Sequence, residues 1–338
     1  MKKLSVFILI SIMVIIAFDY KSKAIVLYKY PINFGVLLYK EDDEYIRSVK
    51  NELLKIENAN KDTVKFEFYD AKDSQELQNS QIDELINKNV DVILLNLVDI
   101  NKSKVAIDKI KASNIPVLFF NREPKTLEWI KSYNKALYIG TEACEAGNIQ
   151  ASMILEEIKQ QIIRDANQNG SLDTIILNGE AENIEAQLRS ECAIRALNEN
   201  NIRTNIIANE YCNWEKECAM MKIDELFLKY GNTIDLIIAN NDSMAIGAIM
   251  ALQKYGYNTG DKEKYIPVVG VDGTDEAKNA IEKGFMTGTV IQNSEEMAKV
   301  LYTIGNNLVK GDPKLKGTLY NFDITGVGVR IPYNGYII

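Results

Sequence analysis

Short apolar runs alternate along the chain with longer stretches in which apolar residues recur at helical spacing. Residues 34–39 form the first apolar run, and Ile46, Val49 and Leu53 then repeat as on one face of a helix. The pattern restarts after Gly140. Further strands are predicted at residues 64–68, 92–95, 117–120, 174–177, 204–207, 236–239 and 266–271. Strands alternating with helices of this length indicate parallel sheets covered by helices on both faces, here in two similar α/β domains.

The first 24 residues have the layout of a secretory signal. Lys2 and Lys3 precede an apolar run at residues 4–18, and Ser22 to Ala24 supply a small-residue cleavage site. The alternative is an uncleaved anchor, although the run is shorter than the ~20 residues of a spanning helix. No Cys follows the run as a lipid attachment point. We therefore expect an exported protein on the outer side of the cytoplasmic membrane, either released or tethered by residues 4–18.

The amino-acid composition excludes several classes of enzyme and of binding protein. Among 338 residues there is no histidine, which excludes Ser-His-Asp and Cys-His hydrolases and His-ligated zinc enzymes. The formal net charge is -8, whereas binding to the phosphates of a nucleic acid requires an excess of positive charge, so no nucleic-acid partner is expected. The sequence contains neither GxGxxG after the first strand nor a P-loop, and no paired nucleophile and base. These features favour binding over catalysis.

The four cysteines are Cys144, Cys192, Cys212 and Cys218, and they lack metal-site spacing. An oxidising compartment permits disulfides, and Cys212 lies close enough to Cys218 in sequence to be bridged. Four small apolar or surface thiols are an equally good interpretation. The sequence leaves the pairing open.

Polar residues follow the predicted strands, where ligands bind in sheets of this kind. They are Asp42, Asp43, Asn96, Asp99, Asn121, Arg122, Glu180, Asn183, Glu185, Asn240, Asn241, Asp242 and Asp272. Any one of them is more simply a helix cap. Together with the loop aromatics Tyr45 and Trp214, they suit a polyhydroxylated ring, because its hydroxyls need hydrogen-bond partners and its C–H faces stack on aromatic rings.

Residues 165–173 match the first nine positions of an EF-hand loop. Oxygen-bearing side chains occupy positions 1, 3, 5 and 9, and Gly170 stands at position 6. Position 12 is Ile176, where a bidentate Glu is required. The segment is either a polar turn or a calcium loop completed from elsewhere, and Asp235, at the head of a predicted strand, is our hypothesis for the missing ligand.

Several ordered phrases resemble the periplasmic galactose/glucose-binding proteins of ABC sugar transporters, over residues 34–333. They are GVLLYKEDDEY at 35–45, LNLVD at 95–99, FFNREP at 119–124, YIGTEACEAG at 138–147, IIANNDSMAIGAI at 237–249, VVGVDG at 268–273 and TGTV at 287–290. The resemblance implies a type I periplasmic binding protein fold, in which a three-segment hinge joins two Rossmann-like doubly wound lobes. The crossings would fall near Pro116, Asn293 and Arg330. The N-terminal lobe would then comprise residues 31–115 and 293–328, and the C-terminal lobe residues 116–292 and 329–338.

The resemblance also implies the site residues. Those for the sugar are Asp43, Tyr45, Asn96, Asn183, Glu185, Arg189, Trp214, Asn241, Asp272 and Gln292. Tyr45 stands where the family has Phe, Asn183 where it has a ligand-contacting His, Glu185 where it has Asp, and Gln292 where it has Asn. A structural Ca²⁺ would be held by Asp165, Asn167, Asn169, Ser171 (through its backbone), Asp173 and Asp235. Because Asn183 carries no charge, we expect sugar affinity to stay flat over the range where histidine titrates.

The function implied is an exported substrate-binding protein, not an enzyme and expected to be monomeric. It would capture D-galactose or D-glucose, with methyl-galactoside as a further ligand, and deliver it to an ABC permease. The alternatives are a sugar-sensing module for a chemoreceptor or sensor kinase, and a binder of a different monosaccharide. The ligand domain of a transcriptional repressor shares the fold but needs a basic helix-turn-helix where residues 4–18 are apolar.

Overall fold

The two runs of alternating strands and helices fold into two lobes, each built on its own six-stranded sheet. The computed structural model describes residues 31–160, 162–163 and 165–337. The predicted signal or anchor at residues 1–24 lies outside the described residues. No described helix is both long enough and apolar enough to cross a bilayer.

The elements follow in chain order. They are β1 (Ile32–Leu38), α1 (Glu44–Ala59), β2 (Val64–Asp70), α2 (Gln75–Asn87), β3 (Val92–Leu95), α3 (Ser103–Ser113), β4 (Val117–Phe120), α4 (Glu128–Lys131), β5 (Ala136–Gly140), α5 (Ala143–Lys159), β6 (Leu172–Asn178), α6 (Ile184–Glu199), β7 (Thr204–Tyr211), α7 (Lys216–Tyr230), β8 (Leu236–Ala239), α8 (Asp242–Lys254), β9 (Val268–Asp272), α9 (Asp275–Glu282), β10 (Gly288–Ile291), α10 (Ser294–Lys310), β11 (Gly328–Arg330) and β12 (Asn334–Tyr336). Short 3₁₀ turns occupy Ile100–Lys102, Gly231–Thr233 and Lys262–Lys264.

The first sheet has the order β11-β5-β4-β3-β1-β2 and is parallel throughout. The second has the order β12-β10-β9-β8-β6-β7, and its edge strand β12 is antiparallel to β10. Alternate residues of β1 show why helices cover both faces: Phe34 and Val36 enter one hydrophobic core, whereas Leu37 enters the core on the opposite face. The predicted doubly wound α/β class is confirmed.

The first predicted lobe boundary is wrong. Placing it at residue 116 assigned β4 and β5 to the C-terminal lobe, but both strands hydrogen-bond within the first sheet. The chain first crosses between Gly140 and Ala143, because β5 still pairs within the first sheet whereas α5 packs on β9 and β10 of the second. The apolar pattern restarting after Gly140 marked this point correctly.

Two further crossings complete the hinge. One runs from β10 in the second sheet to α10, which packs on α1 and on strands of the first sheet. The other runs between β11 and β12. Because Val329 and Arg330 pair with β5, the predicted assignment of residues 329–330 to the C-terminal lobe is also wrong, and the crossing spans residues 331–333.

All four cysteines are paired in disulfides. Cys144 in α5 bonds to Cys192 in α6, and Cys212 after β7 bonds to Cys218 in α7. Both bridges lie in the second lobe. The interpretation of four free thiols is therefore replaced by one helix-to-helix bridge and one short loop bridge.

Candidate functional site

A cavity lies between the lobes, at the carboxyl ends of the strands of both sheets. Polar side chains and two kinds of aromatic ring line it. The lining residues are Tyr39, Asp43, Tyr45, Asn121, Arg122, Asn183, Glu185, Arg189, Trp214, Asn241, Asp272 and Gln292. Nine of the ten residues expected to bind sugar belong to this set.

On the first-lobe side, the end of β1 and the start of α1 shape the cavity wall. Asp43 caps α1, accepting the Ile46 backbone N–H at 2.9 Å through Oδ1. Its Oδ2 accepts the Tyr39 hydroxyl at 2.7 Å. Tyr45, in the first turn of α1, is buried and lines the cavity. The cap interpretation of Asp43 is therefore correct, and the same carboxylate also lines the cavity.

Asn96 is the predicted sugar-binding residue that does not line the cavity. It is fully buried, and its amide accepts the Tyr39 backbone N–H at 3.2 Å and donates to the Phe120 carbonyl at 3.1 Å. Its Nδ2 also donates to Asn121 Oδ1 at 3.2 Å. The polar atoms of Asn96 instead join the ends of β1, β3 and β4, and Asn121 stands in the cavity wall.

On the second-lobe side, Arg189 from α6 is the centre of the polar network. Its Nη1 donates to the Asn240 carbonyl at 2.8 Å. Its Nη2 donates to Gln292 Oε1 at 3.0 Å and to the Tyr333 hydroxyl at 2.9 Å. Gln292 and Tyr333 belong to two of the three hinge crossings. The guanidinium therefore joins the cavity directly to the hinge.

Trp214 lies in the loop between β7 and α7, and its indole ring packs against the backbone of Gly179. Its ring packs so closely on Gly179 that a side chain at position 179 would collide with it. Asn241 caps α8 by accepting the Met244 N–H at 2.9 Å, and its Nδ2 donates to the Trp214 carbonyl at 3.1 Å. Asn241 thus lines the cavity and also anchors the loop that carries the indole.

Burial perturbs the carboxyl groups of the cavity. Desolvation raises the pKa of Glu185 to about 7, opposed by the charge of Arg189, whose Nη2 lies 3.8 Å from Glu185 Oε2. Burial also raises the pKa of Asp272, and the nearby Asp242 acts in the same direction. Asn183, where the family has His, caps α6 through Oδ1 and donates weakly to Glu180 at 3.3 Å. Glu185 thus brings titration near neutral pH back to a site without histidine.

The two lobes touch across the mouth of the cavity. Arg122 of the first lobe forms a bidentate ion pair with Glu180 of the second, at 2.9 and 2.7 Å. Lys40 pairs with Glu215 at 2.7 Å, and the Ser243 hydroxyl donates to Glu44 at 2.9 Å. These contacts describe a closed cleft.

Three cavity residues are absent from the ten sugar-binding residues that the resemblance implied: Tyr39, Asn121 and Arg122. The signal for two of them was present, since Asn121 and Arg122 directly follow β4. Nothing in the local pattern singles out Tyr39, whose ring lies 4.3 Å from the Arg122 guanidinium carbon. Its position depends on the Asp43 contact, which only the folded chain provides.

Asp235 contacts the predicted calcium loop, residues 165–173. Within the described part of the chain, however, no group of three or more acidic or Cys side chains is arranged to hold a metal ion. Asp235 accepts the backbone N–H groups of Ala166 at 2.9 Å and Asp173 at 2.8 Å. The amides of Asn167 and Asn169 donate to Asp173. In this arrangement, the carboxylates of Asp173 and Asp235 accept hydrogen bonds from backbone and amide N–H groups.

Comparisons with known proteins agree with this geometry. A family model described as a periplasmic binding protein domain matches residues 34–313. The D-galactose/methyl-galactoside binding periplasmic protein MglB of Haemophilus influenzae is 35% identical over 302 residues, which cover 89% of this chain and 88% of the relative. A xylitol-binding protein of Mycolicibacterium smegmatis is 26% identical over 235 residues, 70% of this chain and 61% of that protein.

Solved structures match the fold. A periplasmic solute binding protein of an ABC transporter from Actinobacillus succinogenes, with bound D-allose, has a TM-score of 0.75 at 20% identity and covers 91% of this chain and 97% of its own. A solute binding protein from Bacillus halodurans, with bound myo-inositol, has a TM-score of 0.73 at 23% identity, covering 90% and 94%. The expected fold and the expectation of a binding protein rather than an enzyme are confirmed. The chain belongs to the periplasmic binding protein family.

Proposed function

We propose that this chain is an exported substrate-binding protein that captures a hexose between its lobes and delivers it to an ABC permease. D-galactose and D-glucose are the first candidates, with methyl-galactoside as a further one. The 35% identity to a D-galactose/methyl-galactoside binding protein supports this choice. The variety of ligands among more distant relatives makes a sugar panel, rather than a single sugar, the right test.

One observation carries the proposal. Among the described residues, seven buried side-chain polar atoms lack a hydrogen-bond partner within the protein, and five of them belong to residues that line this one cavity. Three are Arg122 Nε, Glu185 Oε1 and Arg189 Nε. The other two, Tyr45 Oη and Gln292 Nε2, belong to side chains that lie beside each other without a well-formed hydrogen bond. Buried polar groups are nearly always satisfied in folded proteins, so such a concentration supports a polar ligand that completes their hydrogen bonds.

The types of unpartnered atom fit hydroxyl groups. Arg189 Nε and Gln292 Nε2 can only donate, and an ionised Glu185 can only accept. A hydroxyl can accept from the first two and donate to the third at the same time, which a carboxylate or an ammonium group cannot do. Trp214 supplies an aromatic surface for the C–H face of a ring. A neutral polyol ring therefore uses this donor and acceptor set best.

Capture follows from the division of the site between lobes. Tyr45 and Asp43 belong to the first lobe, whereas Arg189 and Trp214 belong to the second. A sugar that contacts both sets binds the closed form more tightly than the open form and shifts the population towards closure. The closed surface, drawn from both lobes, is then what a permease recognises.

The test is a titration of intrinsic tryptophan fluorescence against hexoses, pentoses and inositols, with calorimetry to confirm stoichiometry. We expect one site, tightest for D-galactose or D-glucose. An Asp272→Asn variant is the matched negative control, because it keeps the side-chain shape but replaces one carboxyl oxygen in the cavity wall with an amide N–H donor. Absence of binding to the whole panel at millimolar concentrations would reject the proposal. Tight binding of a pentose or inositol alone would reject the hexose.

We further propose that residues 165–173 and Asp235 bind Ca²⁺ as a structural ion. Asp173 and Asp235 are both buried and form no ion pair with a Lys or Arg in the described residues. Burial, and then the charges of Asp173 and Asp165, raise the pKa of Asp235. Binding would require Asn167 and Asn169 to turn their amide oxygens inward. If Ca²⁺ binds here, a free Ca²⁺ concentration 100 times the dissociation constant adds about 2.7 kcal/mol to the free energy of unfolding. Equal melting temperatures in calcium and in chelator would reject this site.

A further inference from the structure

The loop that presents Trp214 is closed by a disulfide. Cys212 follows β7 directly and is 1% exposed, and Cys218 lies in the first turn of α7. Their Cα atoms are 5.3 Å apart. The bond therefore ties the end of a strand to the start of the next helix, with Trp214 between the two anchor points.

The backbone inside this loop is strained. Asn213 has φ of 48° and Trp214 has φ of 68°, the left-handed region that residues other than glycine rarely adopt. Hydrogen bonds hold the turn, including Glu215 N–H to the Cys212 carbonyl at 2.8 Å. Two left-handed residues in succession persist only where the surroundings enforce them. The indole reaches the cavity through this unfavourable turn.

The same loop also takes part in closing the cleft. Glu215, the residue after Trp214, forms the ion pair with Lys40 of the first lobe. Lys216 pairs with Glu276 of its own lobe at 2.5 Å. A shift of the loop would therefore move a wall of the cavity and an inter-lobe contact together.

We propose that the Cys212–Cys218 disulfide is a positioning element for ligand binding. By fixing both ends of the strained loop, it keeps Trp214 in the cavity wall before a ligand arrives. Binding then spends less free energy on ordering the loop, which raises affinity without any added contact. This inference rests on the proposed function in so far as Trp214 contacts the sugar.

The chain contains a matched control in its other disulfide. Cys144–Cys192 joins α5 to α6, which pack so closely that a side chain at Gly147 would collide with the Arg189 carbonyl. The helices hold each other without the bond. Its sequence separation is 48 residues against 6 for the loop bridge, so its loss lowers the melting temperature more.

The experiment compares Cys218→Ser with Cys144→Ser, each removing the more exposed partner of one bridge. Calorimetry measures sugar affinity. In a Trp129→Phe background, acrylamide quenching reports Trp214 alone, without ligand. We expect Cys218→Ser to weaken binding about tenfold and to raise the quenching constant, with a smaller fall in melting temperature than Cys144→Ser. Cys144→Ser should lower the melting temperature and leave affinity and quenching within about twofold of the parent.

The affinity measurement and the quenching measurement distinguish a failure of the proposed function from a failure of the disulfide proposal. If the parent protein binds no sugar, the proposed function fails and the quenching measurement alone decides the role of the loop bridge. Parental affinity and parental quenching in Cys218→Ser would overturn the inference. If Cys218→Ser does not fold, the double variant Cys212→Ala with Cys218→Ala, which leaves no buried thiol, is measured in the same way.

Discussion

Arg122 donates from both terminal nitrogens to the two carboxylate oxygens of Glu180, at 2.9 and 2.7 Å, across the cleft between the lobes. Arg122 follows a strand of the first sheet, and Glu180 follows a strand of the second. The guanidinium is only 6% exposed. Open lobes cannot make this pair, so its free energy contributes to closure and, through closure, to ligand affinity.

Removing the charge of Glu180 should weaken ligand binding without unfolding the protein. We expect Glu180→Gln to raise the dissociation constant about tenfold, or about 1.4 kcal/mol, because closure then buries Arg122 against a neutral partner. Calorimetry gives the constant. Asp108→Asn, which breaks the exposed pair with Lys104, is the control and should change nothing. Equal affinities for the two variants would remove Arg122 and Glu180 from the closing mechanism.

Trp214→Ala should abolish most of the sugar affinity while leaving the fold intact. Truncating a central aromatic contact costs at least about 2 kcal/mol, or about 30-fold in the dissociation constant. Trp129→Phe is the control, since Trp129 packs on the first-lobe core away from the cavity. Circular dichroism checks the fold. Unchanged calorimetric affinity in Trp214→Ala would show that the ligand lies elsewhere.

Sugar affinity should depend on pH near neutrality, contrary to the flat profile expected from the absence of histidine. Burial in the closed cleft raises the pKa of Glu185 to about 7. An ionised carboxylate accepts a sugar hydroxyl more strongly than a neutral one, so affinity should rise with pH and level off above about 7. Calorimetry between pH 5.5 and 8.5 tests this. Glu185→Gln should show a flat profile, and a wild-type profile as flat as that of the variant would contradict the assignment.

The same group should make the unliganded protein less stable as pH rises. A carboxyl whose pKa is raised from 4.5 to about 7 on folding binds more protons in the native state over that interval. Its contribution to the free energy of unfolding therefore falls from pH 4.5 to 7, by on the order of 2–3 kcal/mol. Urea unfolding of wild type and Glu185→Gln at matched pH isolates this effect from those of Asp242 and Asp272. A constant difference between the two proteins would refute it.

Asn96→Ala should lower stability rather than affinity. The substitution leaves the Tyr39 N–H unsatisfied in the interior and removes one of the two N–H donors to the Phe120 carbonyl, which keeps the Arg122 N–H. One buried unsatisfied group costs about 1–3 kcal/mol in the free energy of unfolding. Affinity should change less than about threefold, because Asn96 does not line the cavity. Urea unfolding and calorimetry measure the two quantities. A large loss of affinity with unchanged stability would restore Asn96 as a ligand contact.

Local patterns in the sequence were enough for most of the fold. Strands such as Val92–Leu95 and Leu236–Ala239 agree with their predicted bounds, since a buried parallel strand is a short apolar run between turn residues. The assignment of strands to lobes was not predictable in the same way, although the apolar pattern restarting after Gly140 marked the first crossing. β4 and β5 belong to the first sheet because β4 pairs with β3 and β5 pairs with β11. Since β11 begins at residue 328, almost two hundred positions after β5, no local pattern could show this pairing.

The site shows the same division. Residue type and position after a strand, together with the family resemblance, identified nine of the twelve residues that line the cavity, because parallel strands bring their carboxyl ends to one edge. The sequence by itself thus determined the strands, the polar strand ends and the absence of histidine. Only the tertiary structure decided that Asn96 joins three strands, that Cys212 bonds to Cys218, and that Glu185 titrates near neutral pH. The roles of Asn96 and Glu185 depend on contacts and burial between segments far apart in sequence. The bond between Cys212 and Cys218 depends on which of several cysteines lie within bonding distance. No local sequence pattern encodes these distances.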